Sequence, residues 1–293
     1  MPRLLCIGDL NADITIAAES EIAEGSDTAG RVGLAAGGAA ANVAAVAAAS
    51  GLPTRFVGVV GDDQLGAFLV DELAGHRVDV TPVIRSGASS RAIAALIGPH
   101  GDRSMVSDLA SATVLGLDDI APAWFDDVDW LHLTAYSWFP TGGDEVLARL
   151  VGLAAERGVP WSIDPSSAQM LASSRPIVDA LTAFDGASVM FPNHDEAIAL
   201  TGVDDPVEAA TGLLDVAETV AVTCGEDGVV VVDRRGAVHR AEAHAVDVVN
   251  TLGAGDAFAA GFIAARLAGR DDEASTRAGL AAAARAVTRA TAR

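Results

Sequence analysis

Short apolar runs alternate with alanine-rich segments of helical periodicity along most of the chain. The runs Leu4–Ile7, Arg55–Val60, Trp130–Thr134, Trp161–Ile163, Val189–Phe191 and Val220–Thr223 read as strands. Between them Ala39–Ala49, Ala67–Ala74, Glu145–Glu156, Asp195–Leu200 and Pro206–Leu214 read as helices. This alternation predicts an α/β fold, a mostly parallel sheet with helices on both faces. Val229–Asp233 and Ala237–Ala241, joined through Arg234-Arg-Gly236, predict a hairpin at the sheet edge. A further strand over Ala243–Val249 should lead into a helix over Ala257–Ala268. Two stretches depart from the pattern: Asp13–Ala18 with Arg31–Leu34, and Arg91–Ile97 with Arg103–Asp108. Both alternate with a period near two and have no helix to cover them. They predict a small sheet lying across the mouth of a site, a lid built from about residues 12–34 and 85–110. No repeat and no long linker divides the chain, so residues 1–293 are expected to form one domain.

Composition narrows the chemistry. Hydrophobic residues make up 51% of the 293 positions, enough for a large core. All 19 basic residues are arginine. Without lysine there is no Walker A loop, no protein-kinase strand lysine and no Schiff base. The formal net charge of −21 argues against nucleic acid or an anionic membrane as partner. Cys6 and Cys224 lie in apolar, strand-like contexts and read as buried thiols, not a disulfide. The chain runs directly into a strand at Leu4, and its alanine-rich run at 34–49 is broken by Gly37, Gly38 and Asn42. A cytoplasmic location is therefore expected.

Asn250-Thr-Leu-Gly253-Ala254-Gly255-Asp256 is the most informative segment. Small residues stand where the chain enters a helix, whose first N–H groups have no intrahelical partner and can hold a phosphate. Asp256, in the first turn, lies close enough to such an anion to take a proton from an attacking hydroxyl. Other segments follow predicted strands or open helices: Gly8-Asp-Leu-Asn11-Ala-Asp13, Gly37-Gly38-Ala-Ala-Ala-Asn42, Pro192-Asn193-His-Asp-Glu196, and Val222-Thr223-Cys-Gly225-Glu-Asp-Gly228. In an open α/β sheet they would converge beyond the carboxyl ends of the strands. Singly, each has a plainer reading. Gly253 and Gly255 could simply make a turn, Asn193 and Glu196 a capping box, and Asp164 before Pro165 a turn start.

Together, in this order, the five segments resemble the signatures of the ribokinase (PfkB) family of carbohydrate kinases. The resemblance spans residues 8 to 262. It implies a three-layer α/β/α domain with a mostly parallel central sheet and a small β-sheet lid. It also implies an ATP-dependent transfer to a hydroxymethyl group of a small sugar. Asp256 is then the base, and the turn Gly253–Gly255 with its amides cradles the phosphoryl group. Asn11, Asp13, Gly37, Gly38 and Asn42 face the sugar, with Arg91 and Asp108 as further contacts from the lid. Asn193, Thr223, Gly225 and Gly228 flank ATP, and Glu196 reaches magnesium through water. Among the aromatics, Tyr136 and Trp138 are the better prospects for lining the pocket.

Two departures shape the expectation. Ala39 stands where several members have a lysine, so a phosphorylated sugar would need an arginine such as Arg91 or Arg103. An unphosphorylated sugar is therefore expected first. Asn250 stands where many members have an aspartate that ligates a monovalent cation, which puts potassium activation in question. A nucleoside kinase with the same catalytic residues is the alternative, disfavoured by the 4% aromatic content. A non-catalytic nucleotide- or sugar-binding regulator is more distant. A homodimer through the open lid sheet is the expected assembly.

Overall fold

The structure is a computed structural model, and it describes residues 1–98, 103–108, 114–138, 143–169, 171 and 177–289. The connection at 99–102 between the two predicted small-sheet segments Arg91–Ile97 and Arg103–Asp108 lies outside the described residues, as does the side chain of Arg103.

The chain opens with β1 (Leu4–Ile7), which enters the small-sheet strands β2 (Asn11–Ala18) and β3 (Gly30–Gly37). It returns through α1 (Ala39–Ala49), β4 (Thr54–Val57), β5 (Val59–Gly61), α2 (Gln64–Gly75) and β6 (Ile84–Ser86). The small sheet is completed by β7 (Ala92–Ile97) and β8 (Arg103–Ser107), in the order β3-β2-β7-β8. There follow β9 (Trp130–Thr134), α3 (Asp144–Glu156), β10 (Trp161–Asp164), α4 (Ile177–Phe184) and β11 (Ala187–Met190). The last part holds α5 (His194–Thr201), α6 (Pro206–Gly212), β12 (Ala217–Thr223), β13 (Val229–Asp233) and β14 (Val238–Ala241). Helices α7 (Ala254–Leu267) and α8 (Asp272–Val287) close the chain.

The large sheet runs β14-β13-β12-β11-β10-β9-β1-β4. Its strands from β4 to β12 are parallel, and β13 and β14 form the expected antiparallel hairpin at the edge. Alternation along each strand sorts its side chains to two cores. Leu5 and Ile7 join Leu131, Leu133, Leu147 and Leu150 on one face. Leu4 and Cys6 join the α1 alanines, Phe258 and Phe262 on the other. Both faces are covered, which is why these strands are continuous apolar runs.

Two expected elements differ. Arg55–Val60 is not one strand: Val59–Gly61 leaves the large sheet to pair with β6. A Cβ at Gly58 would stand 2.7 Å from the Gly8 carbonyl oxygen, so the chain can pass here only as glycine. Ala243–Val249 is not a strand at all. Among the described residues no strand pairs with it, and Val248 and Val249 are 60% and 63% exposed. Alternating residues without a ladder partner form no strand. The segment instead runs along α8, where the Val249 and Asn250 N–H groups donate to Val287 O.

Candidate active site

Strands β1, β9, β10, β11 and β12 all end on one side of the sheet. Chain order reverses at β1, which has β4 on one flank and β9 on the other. A crevice at such a reversal is where α/β folds bind ligands.

The connection after β1 sets the first wall. The Asp9 carboxylate accepts hydrogen bonds from Ala39 N at 2.9 Å, Ala40 N at 3.4 Å and the Thr134 hydroxyl at 3.0 Å. It thus satisfies the amino end of α1, which has no cap of its own. Gly38 has φ of 106°, a conformation that favours glycine, and a Cβ there would lie 2.4 Å from Asp9 O. A Cβ on Gly37 would meet the Asp13 carboxylate at 2.2 Å. The paired glycines therefore let α1 start directly against the Asn11–Asp13 strand.

Two buried asparagines point into this space. Asn11, 1% exposed, donates from Nδ2 to Asp13 Oδ1 at 2.8 Å. Asn42, 5% exposed, donates from Nδ2 to Asp256 Oδ2, also at 2.8 Å. Each leaves its Oδ1 buried without a partner. An orphaned buried acceptor is costly, and a hydroxyl donor from a ligand would relieve it. The Asn42 bond also joins the predicted sugar-facing helix to the predicted base.

Asp256 lies in the first turn of α7, whose N-cap Gly253 is left-handed at φ 74° and offers no side-chain cap. The Ala254 N–H makes a long bond, 3.3 Å, to Thr251 O. Ala254 and Gly255 line a groove of about 830 Å³ together with Asn193, Thr223, Gly225, Gly228, His244 and Val246. The predicted phosphate turn and the predicted ATP-flanking residues therefore share one groove. Its outer wall is the segment that sequence alone read as a strand. Thr223 N donates to Pro192 O, tying the end of β12 to the start of α5.

Asn193 and Glu196 form a complete capping box. Asn193 Oδ1 accepts from Glu196 N, while the Glu196 carboxylate accepts from Asn193 N at 2.9 Å and Asn193 Nδ2 at 2.7 Å. Glu196 is 3% exposed, and burial, then the charges of Asp164, Asp256 and Asp195, push its carboxyl up to about 8. Asp164 is pushed up to about 7 by burial and by Asp9 beside it. Asp164 is thus more than the start of a turn: it belongs to an acidic group with Asp9, Glu196 and Asp256. Its Oδ1 also accepts from Ser166 N at 2.7 Å, holding Ser166 at φ 77°. The Ser166 hydroxyl in turn accepts from Tyr136 N and so places Tyr136 at the crevice. In sequence, Asp-Pro after a strand gives no sign of this.

From the small sheet, Arg91 is 5% exposed and its guanidinium lies over the Tyr136 ring at 5.6 Å. Asp108, at the end of β8, is exposed, with its N–H bonded to Ala92 O. All four tryptophans are buried; Trp138 borders a cleft under the crevice. Among the described residues, no three His, Cys, Asp or Glu side chains converge closely enough to hold a bare metal ion.

The chain matches the pfkB family carbohydrate kinases over residues 1–293. It is 32% identical to an ATP-dependent ribose-1-phosphate kinase of Halopiger xanaduensis, covering 93% of this chain and 88% of that protein. It is 29% identical to a ribokinase of Haemophilus influenzae, covering 98% and 92%. An adenosine kinase from Sinorhizobium meliloti superposes with a TM-score of 0.87 at 25% identity, covering 100% and 95%. Fold, site order and full-length similarity agree: the chain belongs to the pfkB family of carbohydrate kinases.

Proposed function

We propose that this protein transfers the γ-phosphoryl group of ATP to a hydroxymethyl group of a small sugar or sugar-like acceptor. One observation carries the reading. Asp256, held by Asn42, stands between a crevice with two orphaned amide oxygens and a groove that ends at an uncapped helix. The acceptor hydroxyl gives its proton to the Asp256 carboxylate. Its oxygen bonds to the γ-phosphorus as the bond to the β-phosphate oxygen breaks, releasing ADP. Amides at 254–256 stabilise the charge on the transferring group, with Gly253 allowing the turn. Asn11, Asp13, Gly37, Gly38 and Asn42 orient the acceptor, and Asn193, Thr223, Gly225 and Gly228 hold the nucleotide.

Magnesium fits the acidic group: Glu196 is bonded to Asn193, which lines the groove, and burial with neighbouring carboxylates raises the carboxyls of both Glu196 and Asp164. That no three such ligands converge among the described residues suits an ion that keeps most of its waters and takes few carboxylates. Bound there, it would neutralise the phosphate oxygens. Glu196, immobilised by Asn193, and Asp164 would hold its waters.

The small sheet serves as a lid over the crevice, within one domain spanning 1–293. Val32, Leu34, Met105 and Val106 on its strands are more than half exposed, which suits a homodimer through that sheet. Cys6 and Cys224 are free thiols, in keeping with a cytoplasmic setting. No helix among the described residues is long and apolar enough to cross a membrane. With a net charge of −21, nucleic acid is not a partner of this reading.

The relatives' names divide the acceptor among a sugar, a sugar phosphate and a nucleoside. ADP release from MgATP should therefore be measured against all three classes, with wild type and Asp256→Asn. Turnover on one class, lost in the variant, supports the reading. Turnover that survives Asp256→Asn sinks it.

A further inference from the structure

We propose that Asp9 is a positioning residue for the phosphoryl transfer: by holding the first turn of α1, it sets the place from which Asn42 holds the Asp256 carboxylate. The proposal rests on the kinase reading and gives a part in it to a residue that acts only through others.

Helix α1 is poorly equipped to fix its own place. Eight of its eleven residues are alanine. Methyl groups make shallow ridges, so packing against neighbours resists a small slide or rotation only weakly. The helix has no side-chain cap at its amino end and no acidic residue in its first turn. Its first amides are held from outside, by the Asp9 carboxylate at 2.9 Å from Ala39 N and 3.4 Å from Ala40 N. A carboxylate there also meets the positive end of the helix dipole.

Asp9 is itself fixed to the sheet. The buried Thr134 hydroxyl, at the end of β9, donates to Asp9 Oδ1 at 3.0 Å. A Cβ on Gly8 would stand 2.6 Å from both Ala40 Cβ and Thr134 Oγ1, so the start of α1 lies hard against the ends of β1 and β9. Asn42 belongs to the same first turn. Its N–H donates to Gly38 O at 2.8 Å, and its Nδ2 donates to Asp256 Oδ2 at 2.8 Å. A line of bonds therefore runs from Thr134 through Asp9 and α1 to Asn42 and the proposed base. Without Asp9 the first turn frays, and the Asn42 amide loses the one place from which it holds the carboxylate.

Two plainer roles for Asp9 give different results. A cap that only stabilises α1 would lower the melting temperature and leave the kinetics of the folded enzyme alone. A carboxylate that touched the acceptor, from the cleft that Asp9 borders, would change the acceptor KM alone.

The test is steady-state kinetics with MgATP and the acceptor class that wild type turns over. The variants are Asp9→Ala, Asp9→Asn, Thr134→Val, Asn42→Ala and the double variant Asp9→Ala/Asn42→Ala. Asp9→Ala should raise the acceptor KM and lower kcat by roughly 10–10²-fold, the scale for a displaced reacting group, with KM for ATP within a few-fold. Asp9→Asn should keep most of the rate, because its amide oxygen can accept from Ala39 N while its nitrogen donates to Thr134 Oγ. In the Asn42→Ala background, Asp9→Ala should add little, because the bond it acts through is already gone. Thermal unfolding shows which variants fold. If Asp9→Ala does not, an unchanged kcat in Thr134→Val decides against the proposal. A second readout needs no turnover: the Asn42 side-chain amide signal in a nitrogen–proton NMR spectrum, identified by its loss in Asn42→Ala. It should shift in Asp256→Asn and in Asp9→Ala, and far less in Asp9→Asn. An unchanged kcat in folded Asp9→Ala overturns the proposal, as do losses that multiply independently in the double variant. An Asn42 signal that moves with Asp9 in a protein without turnover on any acceptor would uphold the positioning line and sink the kinase reading. Turnover lost in Asp256→Asn but unchanged in Asp9→Ala would do the reverse.

Discussion

Asn42 and Asp256 are 214 positions apart and share one 2.8 Å hydrogen bond. Sequence assigned the first to acceptor binding and the second to proton transfer, but the bond couples the two roles. The amide nitrogen must face the carboxylate, because an amide oxygen there would repel it; this turns Asn42 Oδ1 toward the acceptor. Asn42→Ala should therefore lower kcat and raise KM for the acceptor together, each by roughly 10-fold or more for a lost charge-assisted bond. Asn11 bonds Asp13, so Asn11→Ala should raise the acceptor KM and leave kcat within a few-fold. Steady-state kinetics on both variants decides this, and an unchanged kcat in Asn42→Ala would refute the coupling. Asp256→Asn should cut turnover by ~10²–10⁴-fold, the usual scale for losing a general base, with nucleotide affinity nearly intact by calorimetry.

At the scale of elements, the parts buried on both faces were legible, because apolar runs such as Leu4–Ile7 and Trp130–Thr134 have few other places to go. Ala243–Val249 was misread because alternation shows only that a segment has two unlike faces; whether a strand lies beside it is a long-range fact. Asp164 was hidden for the same reason, since its importance comes from Asp9 and Glu196 on other elements. The capping box of α5 was legible, and it immobilises Glu196 in an unfavourable place. Its carboxyl titrates near 8 when folded and near the ordinary carboxylate range when unfolded. The folded state therefore binds the extra proton between those values, so this group's contribution makes stability fall as pH rises from about 4.5 to 8. Without magnesium, the melting temperature of wild type should fall across pH 5.5–8.5 more steeply than that of Glu196→Gln, whose amide keeps the capping box without titrating. Parallel melting curves would mean that Glu196 is not the group responsible.

At the scale of the whole molecule, charge and apolar surface oppose each other. A net charge of −21 drives copies of the chain apart. The small sheet nonetheless exposes Val32 at 75%, Leu34 at 55%, Met105 at 51% and Val106 at 60%, on its two outermost strands β3 and β8. Apolar residues grouped on the edges of an open sheet are a liability unless something covers them, and a second copy would also pair the free strand edges. Burial gains are insensitive to dilute salt, whereas repulsion between the copies is screened within about 10 Å at 0.1 M ionic strength. Dimerisation should therefore strengthen as salt rises from about 10 to 150 mM, the reverse of an interface built on opposite charges. Sedimentation velocity on wild type and on Val32→Asp/Met105→Asp reads this directly. Wild type should approach the dimer mass with added salt while the double variant stays monomeric. Because β3 and β8 flank β2 and β7, which carry Asn11 and Asp13 and follow Arg91, the variant should also show a higher KM for the acceptor with an unchanged KM for ATP. A wild type that remains monomeric at tens of micromolar in 150 mM salt would show that this sheet works uncovered.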